Sequence, residues 1–142
     1  GQWEFQIFAK GAAKAGDEEA FEKSYRVALE AVQTHRPNLI VGSSFGGAIL
    51  MRLILERHWK GPSIFLAQAG VRYGLGDRLP SHIHAILIHG RQDTLIPIED
   101  SILLAHNSGQ NTILWGVDGE HRLHHIVEDG TLKKAVEHFL SP

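Results

Sequence analysis

Short apolar runs and amphipathic stretches take turns along this chain, and that alternation constrains its fold more than any other feature. The runs are Trp3–Ala9, Asn38–Gly42, Ser63–Ala67, His84–His89 and Thr112–Val117. Between the first two, Asp17 to His35 places Phe21, Tyr25, Ala28, Leu29 and Val32 three and four residues apart. That spacing lines one face of a helix, with acids in its first turn and Pro37 after its end. Phe45 to Trp59 reads as a second helix, with Ile49, Leu50, Leu53 and Ile54 apolar and Gly61-Pro62 behind it. Pro97 opens a third, through about Asn107, and a last one follows the segment DGEHRLHH and runs to Leu140. Strands alternating with helices mean βαβ units, a parallel sheet and right-handed crossovers. The expected fold class is α/β: a three-layer α/β/α arrangement on a mostly parallel sheet of about five strands. With 142 residues and no internal repeat or low-complexity linker, residues 1–142 form one domain.

Composition removes several classes of function. The net charge is −2 with no basic block, so nothing favours nucleic acid or an anionic membrane surface. The absence of cysteine excludes disulfides, thiolate metal sites and a cysteine nucleophile, and fits a reducing, cytoplasmic setting. No stretch is long and apolar enough to span a bilayer, and GQWEFQIFAKGA lacks the order of a signal peptide.

In a parallel sheet of this kind, chemistry gathers in the loops beyond the carboxyl ends of the strands. After the second run, Gly42-Ser43-Ser44-Phe45-Gly46 reads G-x-S-x-G. That spacing suits a sharp strand-to-helix turn that exposes the central serine, and its small residues let strand and helix pack closely. A plain glycine-rich turn is the bland alternative. After the fourth run, Asp93 stands in HGRQDTLIP; it could orient a histidine, or serve only as a turn residue or a partner for Arg91. After the fifth run comes VDGEHRLHH, where His121 lies nearest the strand end and His124 and His125 compete with it. Asp118 is the rival acid, Ser43 an off-centre rival serine, and His89 a strand-end histidine expected to donate to nearby backbone. His121, His124 and His125, with His82 and His84 elsewhere, also admit a metal reading. No carboxylate lies on a clear helix face beside them, and no cysteine closes a site. Trp3, Trp59 and Trp115 read as packing residues.

Singly these signals are weak, but serine, acid and histidine occur in that order, each after a predicted strand. That is the chain order of the α/β-hydrolase triad. The chain resembles the α/β-hydrolase superfamily, and more narrowly its small bacterial serine hydrolases without a lid domain. Three segments carry the resemblance: Gly42-Ser43-Ser44-Phe45-Gly46-Gly47; His89-Gly90-Arg91-Gln92-Asp93 with Ile96-Pro97; and Asp118-Gly119-Glu120-His121-Arg122-Leu123. It implies Ser44 as nucleophile, Asp93 as orienting acid, His121 as general base and the Phe45 N–H as one oxyanion donor. The implied activity is hydrolysis of a small ester, thioester or amide through an acyl-enzyme, with no cofactor and no metal.

The connection AGVRYGLGDRLPSHI, residues 69–83, is too short for a lid domain; Val71, Tyr73 and Leu75 are expected to line a shallow, open site. The family pattern normally opens with a further strand, an oxyanion loop and a helix, which this sequence lacks ahead of Trp3. The Lys10–Gly16 loop is then the candidate source of the second oxyanion donor. The same comparison leaves only the last helix for one sheet face, so a homo-oligomer or an additional N-terminal segment is expected to cover that face. The rival reading is a hydrolase-like domain used for binding or assembly rather than catalysis.

Overall fold

Side chains along a strand alternate between the two faces of a sheet, so a run that is apolar at every position must be covered on both. The second and fourth runs behave this way. A computed structural model describes residues 18–140, and residues 5–8 through their backbone alone. Its five strands are β1 (Phe5–Phe8), β2 (Leu39–Ser43), β3 (Ser63–Leu66), β4 (Ala85–Gly90) and β5 (Thr112–Val117). They pair in sequence order, β1-β2-β3-β4-β5. Among the described residues every strand pair in the sheet is parallel. Trp3, Ala9, the 10–16 loop and Asp17 lie outside the described residues.

A consecutive strand order with right-handed crossovers puts every crossover helix on one face. Three helices do this work: α1 (Glu18–His35), α2 (Phe45–Leu55) and α3 (Ile98–Ser108). They bury Ile40, Phe65, Ala85 and Leu87 from the sheet together with Phe21, Tyr25, Val32, Leu50, Leu53 and Leu104 from the helices. The opposite face holds Leu39, Val41, Ile64, Ile86 and Ile88, packed against Leu123, Ile126 and Ala135.

The expected helix bounds need correction. The last helix is two: α4 (His125–Glu128) and α5 (Thr131–Leu140). Gly130 at φ 86° turns the chain between them, and Asp129 Oδ1 accepts from the Thr131 amide (2.9 Å) and hydroxyl (2.7 Å), so the helix restarts there. On the second sheet face the apolar side chains of β2, β3 and β4 are covered within the chain. Leu39, Ile64, Ile86 and Ile88 are fully buried and Val41 nearly so. The reason is the reach of α5, whose Leu132, Val136 and Phe139 lie along this core.

The second helix stops at Leu55 rather than near Trp59. Arg57 takes the left-handed conformation (φ 64°), its N–H reaches the Ile54 carbonyl, and the His58 N–H reaches that of Leu53. This is a Schellman ending with arginine where glycine is usual. No described helix is long and apolar enough to cross a membrane.

Arg52 ties α2 to α1. Its guanidinium lies 2.7 Å from both Glu22 and Glu56 and stacks 4.0 Å from the Tyr25 ring centre, and the Tyr25 hydroxyl donates to Glu56 (3.1 Å). Burial, aided by that bond to Glu56, pushes the Tyr25 phenol up from 10.0 to about 12. A phenol with a raised folded pKa holds its proton more tightly folded than unfolded. Its contribution to stability is therefore whole below pH 10 and is lost as the pH climbs toward about 12. Urea midpoints measured across that window should fall for the natural chain, and Tyr25→Phe should lack that component of the fall.

Candidate active site

The site is assembled at the carboxyl edge of the sheet from three loops. Ser44 stands between β2 and α2, at φ 54° and ψ −111°. Few side-chain-bearing residues adopt such a backbone, which costs roughly 1–3 kcal/mol. Its surroundings hold it there. The Ser44 N–H donates to the Leu66 carbonyl on β3 (2.7 Å), and the Ser44 carbonyl accepts from Gly47 (2.9 Å) and Ala69 (3.0 Å). Glycine is required on both sides of the turn. A Cβ on Gly42 would lie 2.5 Å from the Gly46 carbonyl oxygen, and one on Gly47 would lie 2.9 Å from Gln68 Cβ.

Asp93 is held in the loop after β4. Its Oδ1 accepts from the backbone N–H groups of Leu95 (2.9 Å) and Ile96 (2.8 Å), and its side chain is fully buried. The loop carrying His121 is stitched to this one. Arg91 N–H donates to the Val117 carbonyl (2.8 Å), Gln92 N–H to that of Gly119 (3.0 Å), and Gly119 N–H to Gln92 Oε1 (2.6 Å). Gly90 makes the approach possible, because a Cβ there would strike the Gly119 carbonyl. Leu123 and Ile126, both buried in the second core, anchor the far side of the loop.

These loops bring three of the expected residues into one hydrogen-bonded run. His121 Nδ1 lies 2.8 Å from Asp93 Oδ2, and His121 Nε2 lies 2.8 Å from Ser44 Oγ. Nδ1–H donates to the carboxylate, which leaves the Nε2 lone pair to accept from the serine hydroxyl. The rivals lie elsewhere. Asp118 is 88% exposed and pairs with Arg91 at 3.1 Å. His125 begins α4 and packs over Gly119, and His124 is exposed. Ser43 closes β2, opposite Leu66 in the ladder. Among the described residues, no group of three or more histidine, aspartate or glutamate side chains is placed to hold a metal ion.

The Phe45 N–H is the first of α2, in the turn where backbone N–H groups lack an intrahelical acceptor and the helix dipole is positive. Phe8 stands opposite Gly42, so β1 ends at the same edge as Ser44. The Lys10–Gly16 loop lies outside the described residues. Val71, Tyr73 and Leu75 are half-buried and pack onto the first core. The Tyr73 ring lies 5.7 Å from that of Phe45 and 5.5 Å from that of Phe21, which fixes the loop beside the residue that follows Ser44. A groove of about 430 Å³, lined by Ile54, Leu55, Arg57, Lys60, Pro80 and His82, lies at the opposite edge of the sheet, away from the three loops.

Sequence reasoning missed Gln68 and Ser101, which join His89 in a buried network behind Asp93. Nothing in their local spacing marks them, because they come from the end of β3 and the first turns of α3. His89 Nε2 does donate to backbone, the Ile96 carbonyl at 2.8 Å.

No protein-family model and no curated protein matches the sequence. Solved structures do resemble the fold. Alpha/beta hydrolase domain-containing protein 10 from mouse matches at a TM-score of 0.71 and 16% identity, over 96% of this chain and 88% of that one. Est1E from Butyrivibrio proteoclasticus matches at 0.70 and 15%, over 96% and 86%. An α/β serine hydrolase without lid from Xanthomonas campestris matches at 0.65 and 22%, over 90% of this chain and 60% of that one. At such low identities the likeness is one of architecture, and on that ground this chain has the fold of the α/β-hydrolase superfamily.

Proposed function

We propose that the chain is a serine hydrolase acting on a small ester, thioester or amide. The observation that carries this reading is the continuous hydrogen-bonded run from Ser44 through His121 to Asp93, with 2.8 Å at each junction. His121 Nε2 takes the hydroxyl proton as Ser44 Oγ bonds to the substrate carbonyl carbon, whose oxygen becomes an oxyanion. Asp93 stabilises the imidazolium and keeps Nε2 turned toward the serine. The Phe45 N–H, at the positive end of α2, is positioned to receive the oxyanion. As the tetrahedral species collapses, His121 returns the proton to the departing oxygen, sulfur or nitrogen, and Ser44 is left acylated. A water molecule then gives its proton to His121 and attacks the acyl carbon; collapse frees the acid and restores Ser44. These steps use three side chains, backbone N–H groups and water.

The 70–82 loop follows β3 closely and is pinned to the core by Tyr73, Leu75 and the buried Leu79, so it forms no separate lid. An open site of this kind suits a short or extended acyl group better than a wholly enclosed one. The neighbour from Xanthomonas, described as a serine hydrolase without lid, is in keeping with this.

A fluorophosphonate probe tests the proposal. The expected result is a single covalent adduct, located at Ser44 by mass spectrometry of the labelled chain. A folded chain that takes up no label, or takes it at Ser43, overturns the reading and favours a binding domain built on the hydrolase fold.

A further inference from the structure

Behind Asp93 lies a chain of polar side chains that the steps above do not use. Gln68 and Ser101 are 1% exposed and His89 is wholly buried. Burying three polar side chains is costly unless each is satisfied, and apolar residues would fill the space more cheaply. Here each is satisfied, and the pattern of partners fixes the direction of every bond. The Val71 N–H points at Gln68 Oε1 (3.3 Å), which orients the amide so that Gln68 Nε2 donates to Ser101 Oγ (3.1 Å). The Ile96 carbonyl can only accept, so His89 Nε2 carries a proton and donates to it at 2.8 Å. In the neutral ring Nδ1 is then an acceptor, and the Ser101 hydroxyl donates to it at 2.7 Å. His89 Nε2 also lies 3.3 Å from Asp93 Oδ2. That oxygen is therefore flanked by two imidazoles, His121 in front at 2.8 Å and His89 behind.

We infer that His89 is a positioning residue for the proposed reaction. With Ser101 and Gln68 it braces the carboxylate from behind and ties it to the start of the 70–82 loop; the inference rests on the Ser44–His121–Asp93 reading. The two backbone donors on Oδ1 hold one end of the carboxylate. His89 Nε2–H holds the Ile96 carbonyl, and the Ile96 N–H is one of those two donors, so the ring braces the backbone that holds the carboxylate while standing 3.3 Å from Oδ2. Outer partners of this kind orient the groups that do chemistry, and their loss commonly costs 10- to 100-fold in function.

The test compares the natural chain with His89→Leu and His89→Gln. Three quantities are measured: the second-order rate of fluorophosphonate labelling at Ser44, kcat and KM on an activated ester, and the low-field proton resonance of His121 Nδ1–H. His89→Leu is expected to slow labelling roughly 10- to 100-fold, lower kcat with KM little changed, and shift the low-field proton. His89→Gln, whose amide N–H can reach the same acceptors, is expected to recover most of the rate. A folded His89→Leu that labels at the natural rate overturns the inference and leaves the hydrolase reading standing. So does an equal loss in both variants that falls on KM as much as on kcat, because that is the mark of a merely structural role. Should His89→Leu fail to fold, Ser101→Ala takes its place: a several-fold slower labelling supports the brace, and an unchanged rate overturns it. A natural chain that does not label removes the hydrolase reading, and this inference falls with it.

Discussion

Ser44→Ala is expected to lower ester hydrolysis by about 10⁶-fold and to abolish fluorophosphonate labelling, because on the proposed reading Ser44 is the group that forms the acyl-enzyme. The loss should come with no loss of stability, since the hydroxyl is spent on His121 rather than on packing. Ser44→Gly separates chemistry from strain. Ser44 holds φ 54° and ψ −111°, a conformation that glycine adopts far more readily than alanine. The glycine variant should be as inactive as the alanine variant yet more stable than it by about 1–2 kcal/mol in urea unfolding. A glycine variant no more stable than alanine would mean that the turn is not strained. An alanine variant that keeps more than a small fraction of the activity would move the nucleophile elsewhere.

Asp93→Asn should cost about 10⁴-fold in kcat while leaving the fold in place. The asparagine oxygen can still accept from the Leu95 and Ile96 amides, as Asp93 Oδ1 does now. Its NH₂ must then stand where Oδ2 stands, facing the Nδ1–H of His121 with His89 Nε2 close by. Donor would meet donor. His121 escapes by moving its proton to Nε2, the nitrogen that has to receive the serine proton, so the base is disabled without being displaced. The check is kcat and KM on an activated ester alongside the unfolding curve. A loss below about tenfold would show that the carboxylate does not set the tautomer.

Much of this arrangement was legible in the chain. Runs such as Leu39-Ile40-Val41 and Ala85-Ile86-Leu87-Ile88 have no polar alternation, and buried parallel strands are the structure that leaves no polar position along a run. Gly42, Gly46 and Gly47 around Ser44 marked a turn where strand and helix touch backbone to backbone. The order serine, acid, histidine followed from local signals at three strand ends. The break at Asp129-Gly130 is not read from the sequence, because the apolar spacing on both sides suggests one continuous helix to Leu140.

Other features were decided only by the tertiary structure. Ser44 and His121 are 77 residues apart, and Asp93 and His121 are 28 apart. Which of three histidines meets the serine depends on the parallel register of β2, β3, β4 and β5, and on Gly90 letting the Gly119 carbonyl close over it. Coverage of the second sheet face depended on how far α5 reaches across the strands, which no periodicity within α5 reports. The network behind Asp93 draws Gln68, His89 and Ser101 from the ends of two strands and the first turns of a helix. The physical reason is one of range. Local sequence determines propensity, burial pattern and turn geometry, which act over a few residues. Hydrogen bonds between distant loops form only after packing has set their distance to within a few tenths of an ångström.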